Sequence, residues 1–235
     1  MAKKKKKSKN MMERYHGPLI ENEAVLGYIK FVPWLTLVIS GMIFWGMTIG
    51  NSSDVYRTLF EVCIYYSAFA IVISFFDKFI LKFKIFVYLL ISLIFVVLTI
   101  DISCINLLLI SQGGLSSEMM VVCVYIAIGL FLIFSFVYAW YYLPKNQGKI
   151  WAINQWETYE KLYRNKKLMK FLKPLPVVAF VLIVIAVLSG HENYIECVFG
   201  VLNGILDLFA FPALVVDAIY GAIYISGNPS YDELE

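Results

Sequence analysis

The chain has 235 residues, of which 60% are hydrophobic and only 16% are charged, and its formal net charge is +3. Soluble domains carry roughly 45–50% apolar and about 25% charged residues. This composition therefore excludes a soluble globular protein, which could not cover its surface with polar side chains. It also excludes the disordered, collagen-like and disulfide-rich secreted classes.

Apolar stretches long enough to cross a bilayer as helices occur six times, since each crossing takes about 20 residues. They predict an all-α polytopic transmembrane helix bundle with about six spans, at 31–50, 57–76, 85–110, 119–143, 174–190 and 197–226. The first stretch begins too far from Met1 for a typical signal peptide, so we interpret it as a retained span. The remaining chain forms a basic N-terminal tail (1–30), a basic loop (144–173) and an acidic tail (227–235). Spans 1 to 4 occupy 31–143 and spans 5 and 6 occupy 174–226.

Lysine and arginine are distributed very unevenly along the chain. Of the 20 such residues, 19 lie in the N-terminal tail, in loop 77–84 and in loop 144–173, and the remaining one is Arg57. Basic residues stay on the cytoplasmic side of a membrane protein. Both termini are therefore predicted to be cytoplasmic. The predicted location is the cell membrane, where this multi-pass protein would be embedded in the lipid bilayer.

The basic loop 144–173 has an amphipathic pattern. One helical face carries Ala152, Trp156, Tyr159 and Tyr163, and the opposite face is charged. This pattern predicts a helix in the inner interface, or else a docking surface for a cytoplasmic or membrane protein partner. The lysine run in the N-terminal tail is interpreted as a solvated anchor rather than a nucleic-acid site.

An acid inside a membrane span is a candidate functional residue, because burying it is costly unless it is paired. Asp207 lies about 15 Å into span 6, near the midplane, and Asn203 precedes it by one turn on the same face. No Lys or Arg lies at that depth. Asp207 is therefore expected to be protonated, to accept a hydrogen bond from Asn203 or a hydroxyl of span 3, or to face a cation or water.

The same helix carries two features that support a substrate or ion path. Gly200 and Gly204 form a small-x-x-x-small pattern, which lets helices approach closely. Pro212 removes a backbone donor and frees the carbonyl of Leu208, as in the broken helices from which many transporters build their sites.

Three other acids fall within or beside the spans. Asp101 lies about 24 Å from the inner end of span 3 and points away from the polar stripe of that helix, so it faces a different neighbour or water and is a second path candidate. Glu61 is expected to pair with Arg57 one turn away. Asp217 is expected to reach the inner interface and be solvated.

Cysteines and histidines give no enzyme motif. The four cysteines map to the outer half of the membrane and could form one or two disulfides or pack unpaired; they are Cys63, Cys104, Cys123 and Cys197. No C-x-x-C, zinc-ligand, nucleophile-elbow or phosphate-loop motif is present. No catalytic residue, metal or cofactor is therefore expected.

Three functional hypotheses follow from this pattern. The first is a non-enzymatic transport or channel protein, or the membrane subunit of a transport complex, with a polar path near Asp207. The alternative is a structural or interaction membrane protein, such as an assembly, immunity or scaffold factor. A membrane redox enzyme that uses the outer cysteines is the third hypothesis. A homo-oligomer would favour a channel.

Overall fold

The computed structural model describes residues 22–49, 54–114, 116–142 and 192–227, and these are helical apart from short connections. The helices are α1 (Asn22–Ile49), α2 (Asp54–Ser74), α3 (Asp77–Lys82), α4 (Lys84–Ser111), α5 (Ser117–Tyr142) and α6 (Glu192–Gly227). All except α3 are long and apolar enough to cross a membrane. This finding confirms the predicted all-α polytopic bundle.

Several predicted segments fall outside the described residues. They are span 174–190, loop 144–173 with its interfacial helix, most of the N-terminal tail and the acidic tail. The count of six spans, the cytoplasmic termini and the assigned segment boundaries therefore stay predictions.

α4 lies at the centre of the described bundle. It packs most extensively against α6 and also contacts α1, α2 and α5. Its buried residues form the largest part of the core and include Val87, Tyr88, Ile91 and Ile94. α4 also carries the buried polar side chains Ser92, Asp101 and Asn106, whose hydrogen-bond partners lie on α6 and α1.

α6 runs antiparallel to α4 and approaches it closely at two glycines. A Cβ on Gly200 would lie 2.8 Å from the backbone oxygen of Asn106, and one on Gly221 would lie 2.9 Å from the Tyr88 ring. A Cβ on Gly204 would lie 3.8 Å from Asn106, which is an ordinary contact. Of the two glycines in the predicted motif, Gly200 therefore makes the close contact.

α1 and α2 form a second packed pair. Their buried hydroxyls meet where Thr36 Oγ1 lies 2.9 Å from Ser67 Oγ. α5 is more peripheral, and its contact with α6 centres on the buried ring of Tyr138, which packs with Ala213 and Val216.

Two prolines lie inside described helices. Pro33 is inside α1, which begins at Asn22. Pro212 lies inside α6, in agreement with its predicted place within span 6, and the helix continues through it for 36 residues in all. The hydroxyl of Tyr138 donates a hydrogen bond of 2.7 Å to the carbonyl of Phe209, next to the carbonyl that Pro212 leaves without its helical donor. This bond ties α5 to α6 close to the proline.

Candidate functional site

Two amides and one carboxyl group form a closed triad between α4 and α6. Asn106 Nδ2 donates to Asp207 Oδ2 at 2.8 Å, and Asn203 Nδ2 donates to the same oxygen at 2.9 Å. Asn203 Nδ2 also lies 2.8 Å from Asn106 Oδ1, which accepts from it. The sequence predicted the contact between Asp207 and Asn203, and the partner on the third predicted span is an amide rather than a hydroxyl.

Close packing of the two helices brings these short side chains together. Gly200 lies against the backbone of Asn106, and Asn203 and Asp207 follow on the next turns of the same α6 face. Asn106 is only about 7–8 Å along α4 from Ser111. The triad therefore lies between the middle of α4 and its C-terminal end, and the midplane depth of Asp207 stays a prediction.

Asp101 faces α1 on another side of α4. It has no exposed surface, and the hydroxyl of Ser40 lies 2.7 Å from Oδ1 and 2.9 Å from Oδ2. The single O–H of Ser40 is therefore shared between the two carboxyl oxygens. Of the two alternatives for Asp101, the structure shows a neighbouring helix and not water.

No basic side chain neutralises either acid within the described ranges. The ion pairs found there join Lys30 to Asp77 at 2.9 Å and Arg57 to Asp54 at 3.7 Å. Asp101 and Asp207 are instead held by neutral hydroxyl and amide donors. A carboxyl group in hydrocarbon without a basic partner must be neutral or have a cation beside it.

Two predictions for the other acids are wrong. Glu61 does not pair with Arg57: it accepts a hydrogen bond of 3.1 Å from Tyr65, and Arg57 pairs with Asp54. Asp217 is completely buried rather than solvated at the interface. The long α6 packs against α4 well beyond the level of Asp207, so this acid is covered by the bundle.

The sequence missed Ser40 and Asn106 as partners of the two acids. Asn106 was visible as one member of a polar stripe on the third predicted span, but the pattern did not reveal which helix it faces. Ser40 is one of three hydroxyl residues in the apolar stretch 31–49, and the pattern does not single it out. Only the rotation of α1 against α4 identifies it as the donor to Asp101.

The four cysteines are free thiols in the structure, with Cys63 buried and Cys104, Cys123 and Cys197 partly exposed. Cys197 packs at the C-terminal end of α4, where a Cβ on Gly113 would meet its Sγ at 2.8 Å. Disulfide formation thus stays a prediction that the geometry does not support. The described helices contain no group of three or more His, Cys, Asp or Glu residues that could hold a metal ion.

Comparison with known proteins does not assign this chain to a family. No family model matches the chain, and no curated protein or solved structure matches it either. Its own helices and their apolar surfaces therefore identify this chain as a multi-pass integral membrane protein.

Proposed function

We propose that this protein moves a cation or a proton across its membrane, as a transporter, a channel or the membrane subunit of a transport complex. The observation that carries the proposal is the Asp207 triad. It holds a carboxyl group among transmembrane helices with two neutral amides and without a basic residue among its described neighbours.

The hydrogen bonds of the triad leave two oxygens available. Asp207 Oδ2 accepts from both amides, whereas Oδ1 of Asp207 and Oδ1 of Asn203 accept no hydrogen bond from the described residues. Both side chains are partly exposed at the surface of the bundle. Carboxyl and amide oxygens are the ligands that hard cations prefer, and a carboxyl group can carry a proton instead.

Asp101 has a different part in this proposal. It is enclosed between α1 and α4 with no exposed surface, so it suits a proton and not a hydrated ion. We therefore assign the ion or substrate contact to Asp207 and Asn203. Asp101 is a secondary candidate on the opposite side of the central helix.

The test is Asp207→Asn in the full-length protein reconstituted into sealed liposomes. Asparagine keeps an oxygen that accepts from Asn106 and Asn203 but cannot ionise. We expect the flux of H⁺, Na⁺ or K⁺, followed with a pH-sensitive or cation-sensitive dye, to fall by at least tenfold while the unfolding temperature stays close to wild type. Glu118→Gln, at an exposed acid in the first turn of α5, is the control and should keep wild-type flux.

Two outcomes would contradict the proposal. One is an Asp207→Asn variant whose flux equals that of wild type, which would remove Asp207 from the mechanism. The other is wild-type protein that moves none of these cations down an imposed gradient.

A structural or interaction role is the second candidate, and one observation favours it. The hydrogen bonds of the triad join α4 to α6 beside the close contact at Gly200, as expected for polar residues that hold membrane helices together. In that case Asp207→Asn should leave function intact. Gly200→Leu should disrupt helix packing or abolish the co-purification of a protein partner. Thiol alkylation with and without reductant tests the third hypothesis, a redox enzyme, which requires that some cysteine becomes oxidised.

A further inference from the structure

The connection between α2 and α4 combines exposed apolar rings with lysines. Phe75 and Phe76, which follow α2, are 72% and 58% exposed, and Leu81 on α3 is 51% exposed. Ile80 of α3 is buried in the main core, so this short helix is fixed against the bundle. Large apolar side chains that are exposed beside lysines at the end of two spans are typical of a membrane interface.

The connection between α2 and α4 keeps a net positive charge, because its one acid is already neutralised by an ion pair. Asp77 is the sole acid in residues 75–84, and Lys30 of α1 neutralises it at 2.9 Å. Lys78 and Lys82 are exposed, lie one turn apart on α3, and have no acidic partner within the described residues. The Lys82 Nζ lies 5.5 Å from the centre of the Phe83 ring, a cation–π distance.

We infer that Lys78 and Lys82 form a binding site for the headgroup of an anionic phospholipid, whose acyl chains lie against the exposed side chains Phe75, Phe76 and Leu81. Two ammonium groups supply charge and hydrogen-bond donors for a lipid phosphate. The adjoining apolar surface selects a lipid over free phosphate, which has no apolar part. Lysines near a membrane surface attract anionic lipids by this charge.

The test titrates the full-length protein in neutral detergent with phosphatidylglycerol and, separately, with phosphatidylcholine of the same acyl chains. Native mass spectrometry measures the bound lipid. Wild type should bind phosphatidylglycerol at least tenfold more tightly, and Lys78→Gln/Lys82→Gln should lose most of that preference, since each lysine contributes a severalfold effect. Lys78→Arg/Lys82→Arg keeps both charges and should keep the preference even if the glutamine variant is poorly folded.

A matched control separates this site from general attraction to positive charge. Lys3→Gln/Lys4→Gln removes the same charge from the N-terminal tail and should leave the preference for phosphatidylglycerol unchanged. An equal loss of preference in this control would overturn the inference. So would a Lys78→Gln/Lys82→Gln variant that binds phosphatidylglycerol as tightly as wild type, or wild-type protein that binds the two lipids equally tightly. Displacement of phosphatidylglycerol by millimolar inorganic phosphate would show a free phosphate site instead and would also overturn it.

Discussion

The two acids Asp101 and Asp207 show how differently one residue type can be held inside a bundle. Asp101 has a single hydroxyl partner and no exposed surface. Asp207 has two amide partners and remains partly exposed. Because a buried polar group without partners costs more than one that keeps a few, the two acids should respond differently when a neighbour is removed.

At the residue scale, Ser40→Ala should destabilise the protein by about 1–3 kcal/mol, because it leaves the buried carboxyl group of Asp101 without its hydroxyl donor. Unfolding of the purified protein in detergent measures the change. The control is Ser103→Ala, which removes a partly exposed hydroxyl two residues after Asp101 on α4. It should change stability by less than about 0.5 kcal/mol. Equal effects of the two variants would show that the bond to Asp101 is not stabilising.

At the scale of elements, the contact between α4 and α6 depends on individual glycines. Gly200→Ala should destabilise by about 1–3 kcal/mol, because the added methyl group meets the backbone of Asn106 and the Cβ of Leu109 and overpacks the interface. Gly204→Ala adds the same group at ordinary contact distance and should be nearly neutral. Unfolding temperature and the monodisperse fraction on size exclusion measure both variants, and the reverse order would contradict the observed packing.

The contact between α5 and α6 gives a second prediction at this scale. Tyr138→Phe removes the hydrogen bond to the carbonyl of Phe209 while keeping the ring, so we expect a loss of about 0.5–1.5 kcal/mol in the free energy of unfolding. Tyr125→Phe is the matched control on α5, since the Tyr125 side chain is 70% exposed. If both variants unfold like wild type, the Tyr138 hydroxyl does not stabilise the contact between α5 and α6.

At the scale of the whole molecule, the direction of the helices constrains the topology. α4 and α6 are antiparallel, since Cys197 lies beside Gly113 while Gly221 lies beside Tyr88. α5 follows α4 after a short connection and also returns in the opposite direction. α5 and α6 therefore run the same way, which agrees with the predicted span 174–190 between them, and that span lies outside the described residues.

This direction predicts that the two ends of the connecting chain lie on opposite sides of the membrane. A cysteine introduced by Lys149→Cys should react with an impermeant thiol reagent only after the cells are opened, because basic loops stay cytoplasmic. A cysteine from His191→Cys should react on intact cells. Wild-type protein gives the background of the four natural cysteines, and labelling of both positions from one side would contradict the topology.

The fold was more predictable than the site, for reasons visible in particular residues. A span is marked by a continuous apolar stretch, so α2, α4 and α5 fall close to the predicted positions. The contact between Asp207 and Asn203 was also predictable, because both lie on one face of one helix. Glu61 and Asp217 were assigned wrongly, since the partner of each depends on which neighbouring side chains cover it.

The sequence by itself determined that this is an all-helical membrane protein, and it showed which side chains interrupt the apolar helices. The reason is that the length and apolarity needed to span a bilayer are local properties of each segment. The tertiary structure decided which of those side chains meet. It placed α4 at the centre, Asn106 beside Asp207, and Ser40 beside Asp101. The physical reason is that such contacts depend on how each helix is rotated and how closely it approaches its neighbours, and both depend on the packing of side chains that are distant in the chain.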